Sequence, residues 1–268
     1  MPCSLPQDGY FSNPSRWTEP AVTSKILFVI RFLERNVSRF APFLAVPLLF
    51  ASMSAIFFWV PTDAGLGISQ RIFYWHVPCA TTCFGAFAFA GISSGMFLYS
   101  RDRSWDHAAQ AAVSVGMLFG TLVLVTGSIW ARTAWGTWWT WDARLTTFLV
   151  LWLLFASYLV LRSLSDDELG PRYAAVLALV GTLNIPLVMF ATRLWRTIHP
   201  QVIRNPNGGI DDPRMVAALV LSFAAFFTFA PLLWSLRVRV LRLTEEVAVL
   251  EHELANPRNT GLAGRTAP

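Results

Sequence analysis

Between residues 41 and 234 the chain holds six long apolar runs with almost no charge inside them, and no other feature limits its fold so severely. A bilayer core offers the backbone no hydrogen-bond partner, so an apolar run there must satisfy its own N–H and C=O groups as a helix. The runs cover residues 41–60, 77–99, 108–129, 145–161, 172–190 and 215–234. At 1.5 Å per residue such lengths match the roughly 30 Å of hydrocarbon in a membrane, the fourth being the shortest. The composition agrees: 54% of the chain is hydrophobic and only 14% is charged. The expected fold is all-α, a polytopic membrane protein with a six-transmembrane-helix bundle.

The flanks divide the chain into three parts. Residues 1–40 form an N-terminal extension whose latter part, from Thr23 onward, has an amphipathic helical pattern suited to lying along a membrane surface. Residues 41–234 are the membrane domain, and 235–268 a charged amphipathic helix followed by a tail rich in Pro, Gly and Asn. The opening residues lack a basic stretch followed by an apolar one, so the first span is expected to act as the insertion signal. Pro61 should end that span, and residues 62–76 should include a short interfacial helix carrying His76 to the membrane edge. Six spans put both termini on one side. Lys and Arg are denser there than in the opposite loops, which makes that side cytoplasmic and the expected location a bacterial inner membrane, with mitochondrial relatives as the alternative.

Several classes of function fall away. Three cysteines without a C-x-x-C offer no thiol–disulfide chemistry, and Cys79 and Cys83 sit four apart as small apolar core residues. The net charge of +5 comes with no basic patch for nucleic acid. No nucleophile–base pair, carboxylate pair or phosphate loop stands out, so the chain reads as non-enzymatic.

The densest chemical signal lies at residues 130–147, reading WARTAWGTWWTWDARLTT. It holds Trp130, Trp135, Trp138, Trp139 and Trp141, out of 12 tryptophans in 268 residues. One or two would make an interfacial aromatic belt. Five, interleaved with Gly136, Thr137 and Thr140 and closed by Asp142 and Arg144, read as a flat aromatic shelf for a large planar ligand. Asp142 stands where the fourth span needs an N-cap, though it is also placed to orient an arginine or an indole N–H. Arg132 and Arg144 bracket the tryptophans and suit ligand carboxylates through their planar forks; headgroup contact is the alternative.

Two of the four histidines flank this stretch from separate loops on the same face: His76 in YWHVP and His199 in TIHP. Either alone reads as a solvated edge residue. Together, with an aromatic surface between them, they offer the two neutral imidazoles that axial ligation of a planar iron macrocycle requires. Zinc would need more ligands than these loops supply. Pro78 and Pro200 restrict the backbone beside each histidine. His107 and His252 are expected in solvent.

WGTWWTWDARLTT with two flanking outer-loop histidines and six spans strongly resembles the tryptophan-rich (WWD) signature of the heme-handling membrane proteins of cytochrome c maturation. Length and span count look most like the heme exporter protein C family, over about residues 41–234. The resemblance implies heme as cargo, b-type and non-covalently held, with His76 and His199 as axial ligands to its iron. It implies a platform of Trp130, Trp135, Trp138, Trp139, Trp141 and Asp142. It further implies delivery to a periplasmic heme chaperone, alongside the ATPase and membrane subunits of an ABC transporter and a small single-span accessory protein. A transporter or channel through the bundle, or a scaffold subunit, is the competing reading; the near-absence of ionisable residues within the spans argues against a polar pathway. The N-terminal extension and the C-terminal TEEVAVLEHEL helix look like departures from a minimal family member.

Overall fold

A computed structural model describes residues 21–164, 169–199, 210 and 212–255. Side chains at 21–31, 33, 34, 252 and 253 are outside that description, as are Pro200 and the two terminal tails. The described chain consists of six long helices, each long and apolar enough to cross a membrane. They are α1 (Ala21–Ser54), α2 (Phe73–Ser100), α3 (Arg103–Trp135), α4 (Ala143–Leu164), α5 (Leu169–Leu194) and α6 (Pro213–Ala255). The six-helix polytopic bundle expected from the apolar runs is the fold observed.

Helix ends explain where the expected boundaries moved. The segment expected to lie flat on the membrane before the first span is instead continuous with it in α1, which passes through Pro42 and Pro47. A π-helical turn, Ala55–Trp59, closes α1, and Val60 turns extended ahead of Pro61, as a residue preceding proline prefers. At the other terminus the charged helix after residue 234 is likewise no separate element, because α6 runs unbroken to Ala255. Asp102 caps α3 by accepting from the Ser104 N–H at 2.8 Å, after Arg101 has closed α2 in the left-handed region at φ 61°. The charged RDRSWDH segment is therefore mostly the first turn of α3, where a simple turn was expected.

Neighbouring helices pair α2 with α3, α4 with α5, and α1 with α6, and α2 also packs on α5. At the centre Phe87 of α2 and Phe155 of α4 stack with centroids 3.8 Å apart and planes 4° from parallel. Two glycines make room for that stack. A Cβ on Gly116 would lie 2.4 Å from the Phe87 ring, and one on Gly181 would lie 2.9 Å from Phe155. Small residues at such contacts let helices approach where lipid supplies no hydrophobic drive between them. Cys79 and Cys83 join this core as free, buried thiols. Outward-facing positions are apolar as well, Phe58 being 91% exposed, which is the pattern of a surface bathed in lipid.

His107 corrects an expectation. It is buried at 7% exposure rather than solvated, with Nε2 3.1 Å from a Glu245 carboxylate oxygen on α6. Beside it Asp106, 2% exposed, pairs with Arg162 at 3.0 Å and Arg103 at 3.4 Å. A pair of buried or half-buried charges survives only when each has a partner. These contacts fasten the end of the bundle that carries both termini. The side chain of His252 is outside the described residues.

Candidate functional site

The loops after α1, α3 and α5 all emerge at the opposite end of the bundle, which carries the tryptophans. The approach to α2 is built by Asp63, whose carboxylate accepts from the N–H groups of Gly65 and Leu66 at 2.8 and 2.6 Å. Gly67, at φ 59°, then turns the chain into a 3-10 turn, Ile68–Ile72, that runs straight into α2. The expected separate interfacial helix shrinks to that one turn. His76 is consequently a residue of α2 itself, in its first turn and half-buried, rather than a loop residue at the membrane edge.

Its ring leans on α3. Nδ1 of His76 lies 2.9 Å from the hydroxyl of Thr126, and Gly127 leaves the space in which the ring sits: a Cβ there would come within 3.1 Å of Cε1. Thr126 and Trp130 are four residues apart and share a face of α3, so the imidazole lies about one helical turn below the first tryptophan.

α3 ends six residues later than expected. Trp130, Arg132 and Trp135 therefore ride on its last turns, and only residues 137–142 form a loop. Gly136, at φ 76°, is the left-handed cap that stops the helix. The Arg132 guanidinium donates to the Gly136 carbonyl, so this exposed arginine caps the helix C-terminus.

The tryptophans do not make one flat shelf. Trp130 and Trp135 meet edge to face at 5.2 Å and 84°, and Trp139 and Trp141 do so at 6.0 Å and 81°. Each pair can give only one ring to any single plane, so the surface has walls as well as a floor. Trp141 is 77% exposed and Trp138 59%, whereas the Trp139 Nε1–H is buried without a hydrogen-bond partner among the described residues, as are the hydroxyls of Thr140 and Thr146. An unpaired buried donor costs about 1–3 kcal/mol, so a ligand that bonded the Trp139 N–H or the Thr140 hydroxyl would recover that cost.

Asp142 ties the site together. It caps α4 by accepting from the Arg144 N–H at 3.1 Å, as its position suggested, and its backbone carbonyl accepts from the Thr146 N–H at 2.9 Å. The same carboxylate accepts from the Thr197 hydroxyl at 2.7 Å and the Ile198 N–H at 3.3 Å. Thr197 Oγ1 in turn accepts from the His199 N–H at 3.0 Å. The loop carrying His199 is thus strapped to the tryptophan loop. Arg144, at the start of α4, and His199 are both half-buried. Among the described residues no group of three or more His, Cys, Asp and Glu could hold a bare metal ion.

Sequence reasoning missed Thr126, Gly127 and Thr197. The first two were marked by the polar T-G-S interruption of an otherwise apolar third span, at 126–128. Thr197 carried no signal, because its importance depends on which loop Asp142 meets.

Six helices long and apolar enough to cross a membrane, with histidines and tryptophans from helix ends and loops at one end, define a polytopic membrane protein. The family model described as heme exporter protein C matches residues 23–253, and the chain belongs to that family. Heme exporter protein C of Bradyrhizobium diazoefficiens is 37% identical over 186 residues, 68% of this chain and 71% of that protein. The protein of the same name from Escherichia coli K12 is 35% identical over 191 residues, 71% of this chain and 77% of that one. A putative cytochrome c biosynthesis ccmC-like mitochondrial protein of Arabidopsis thaliana is 29% identical over 230 residues, 82% and 88% of the two chains. The match from 23 to 253 takes in the N-terminal amphipathic stretch and most of the helix after residue 234. Those segments are accordingly part of the family pattern, where they were expected to lie outside it.

Proposed function

We propose that this protein binds heme at the tryptophan-rich end of its bundle and presents it to a periplasmic heme chaperone during c-type cytochrome biogenesis. The observation that carries this reading is that Asp142 straps the loop of His199 to the tryptophan loop, while His76 lies against Thr126, one helical turn below Trp130. His76 would reach the iron from α2, and His199 from the loop that Asp142 straps down. Trp138 and Trp141 supply exposed apolar surface, and the Trp139 N–H and Thr140 hydroxyl supply donors. Arg144 is the nearer candidate for a propionate, because Arg132 is engaged at the end of α3. The cargo is held non-covalently, as b-type heme, and the protein turns nothing over itself. With both termini cytoplasmic, this end of the bundle faces the periplasm of a bacterial inner membrane. The partners are an ABC transporter's ATPase and membrane subunits, a small single-span protein and the chaperone.

The test is a hemin titration of the purified full-length protein in detergent, followed by oxidised and reduced spectra of wild type, His76→Ala, His199→Ala and the double variant. The expected result is a bis-histidine low-spin spectrum that each single change perturbs and the double change abolishes. An unchanged spectrum in the double variant would overturn the reading.

A further inference from the structure

The hydroxyl of Thr126 does two things at once. It donates to the Leu122 carbonyl at 2.6 Å, one turn back along α3, and it lies 2.9 Å from Nδ1 of His76. A threonine hydroxyl has one hydrogen, and the arrangement that satisfies both contacts places it on the Leu122 carbonyl. In that arrangement the oxygen accepts from the imidazole, and Nδ1 carries the proton. The opposite tautomer would need the Thr126 hydrogen turned onto Nδ1, giving up the bond to Leu122 and making one hydrogen bond where the observed arrangement makes two. Nε2 is then left with its lone pair in the ring plane. Gly127 completes the seat by admitting the Cε1 edge of the ring against the helix.

We infer that Thr126 is a positioning residue that locks His76 in its Nδ1–H tautomer and aims Nε2 outward as a ligand for heme iron. The inference rests on the heme-binding reading above and adds a residue to it. A ligating histidine whose other nitrogen donates a hydrogen bond is fixed in orientation and is a stronger base, and loss of such a partner commonly weakens metal binding by about 10–100-fold. Thr126 reaches this effect from inside the third span, through a residue that does not itself touch the cargo.

The experiment compares wild type, Thr126→Val, Thr126→Ser and His76→Ala as full-length proteins in detergent, with hemin as the probe. It measures hemin affinity, the rate of hemin loss to excess apomyoglobin, the ferric electron paramagnetic resonance spectrum and the heme midpoint potential. Thr126→Val keeps the shape of the side chain and removes the acceptor. It is expected to lower affinity about tenfold, speed hemin loss, shift the ferric g-values and raise the midpoint potential, because a less basic imidazole stabilises ferric iron less. Thr126→Ser is expected to restore all four readouts. A Thr126→Val protein with wild-type affinity, g-values and potential would overturn the inference, as would a serine variant that behaves like valine, since packing alone would then explain the residue. If His76→Ala keeps the wild-type spectrum, the assignment of His76 as ligand fails first, whatever Thr126 does.

Discussion

Asp142 accepts a 2.7 Å hydrogen bond from Thr197, a residue 55 positions further along the chain and two before His199. One carboxylate thus serves two ends: it caps α4 through the Arg144 N–H and fastens the histidine-bearing loop through Thr197 and Ile198. The tryptophan loop and the second imidazole move as a unit because of it.

The two duties separate by substitution. Asp142→Asn retains an oxygen that caps α4, asparagine being as good an N-cap as aspartate, so thermal stability should change little. The charge-assisted bond to Thr197 weakens, and hemin affinity should fall about three- to tenfold. Asp142→Ala removes both, and should cost about 1 kcal/mol of stability as well as the affinity. Thermal melts read beside hemin titrations check the split.

Gly127→Ala probes the seat of His76. The added Cβ would lie 3.1 Å from Cε1, close enough that the ring must give by a few tenths of an ångström. The protein should still fold, with weaker hemin binding and a broadened ferric resonance spectrum. Gly116→Ala makes the contrast: its Cβ would lie 2.4 Å from the Phe87 ring in the core, so stability should drop by about 1–3 kcal/mol. Heme binding by the fraction that folds should be unaltered.

Trp139→Phe removes a buried N–H that has no partner among the described residues. Stability without heme should hold or rise slightly, since the donor's desolvation cost disappears with it. Hemin affinity should fall by about tenfold, the equivalent of one hydrogen bond of about 1.4 kcal/mol. Trp141→Ala, at a position 77% exposed, should leave the melting temperature in place and slow hemin transfer to the chaperone.

At the other end of the bundle, Asp106→Asn should destabilise without touching the site. The carboxylate is 2% exposed and faces both Arg162 and Arg103. Neutralising it leaves the largely buried Arg162 guanidinium without its counter-charge, at a cost of about 3–5 kcal/mol. Denaturation in detergent should show the loss, and the heme spectrum of the surviving folded protein should match wild type.

The six helices were legible in the order of residues alone, because a run of apolar side chains in lipid has only one way to satisfy its backbone. Helix boundaries were legible at Pro61, which follows the end of the first span, and at Asp142, whose carboxylate caps the start of α4. They were missed at Trp135, since nothing between Ile129 and Gly136 forbids a helix, and tryptophan density suggested a loop where the chain simply kept turning. Likewise His107 looked solvated, because its partner Glu245 lies on another helix. The types of residue for a heme site (two imidazoles, five indoles, two arginines) could be read off the chain, as could the end of the bundle they share. Their roles could not. That Arg132 closes a helix and that the indoles meet nearly at right angles follow from local geometry, and that Thr126 meets His76 and Asp142 meets Thr197 follows from contacts between distant segments. Periodicity and polarity fix which segments enter the membrane, since each acts through its own residues. Hydrogen-bond direction, ring orientation and charge pairing depend on what a neighbouring helix brings, so only the folded bundle decides them.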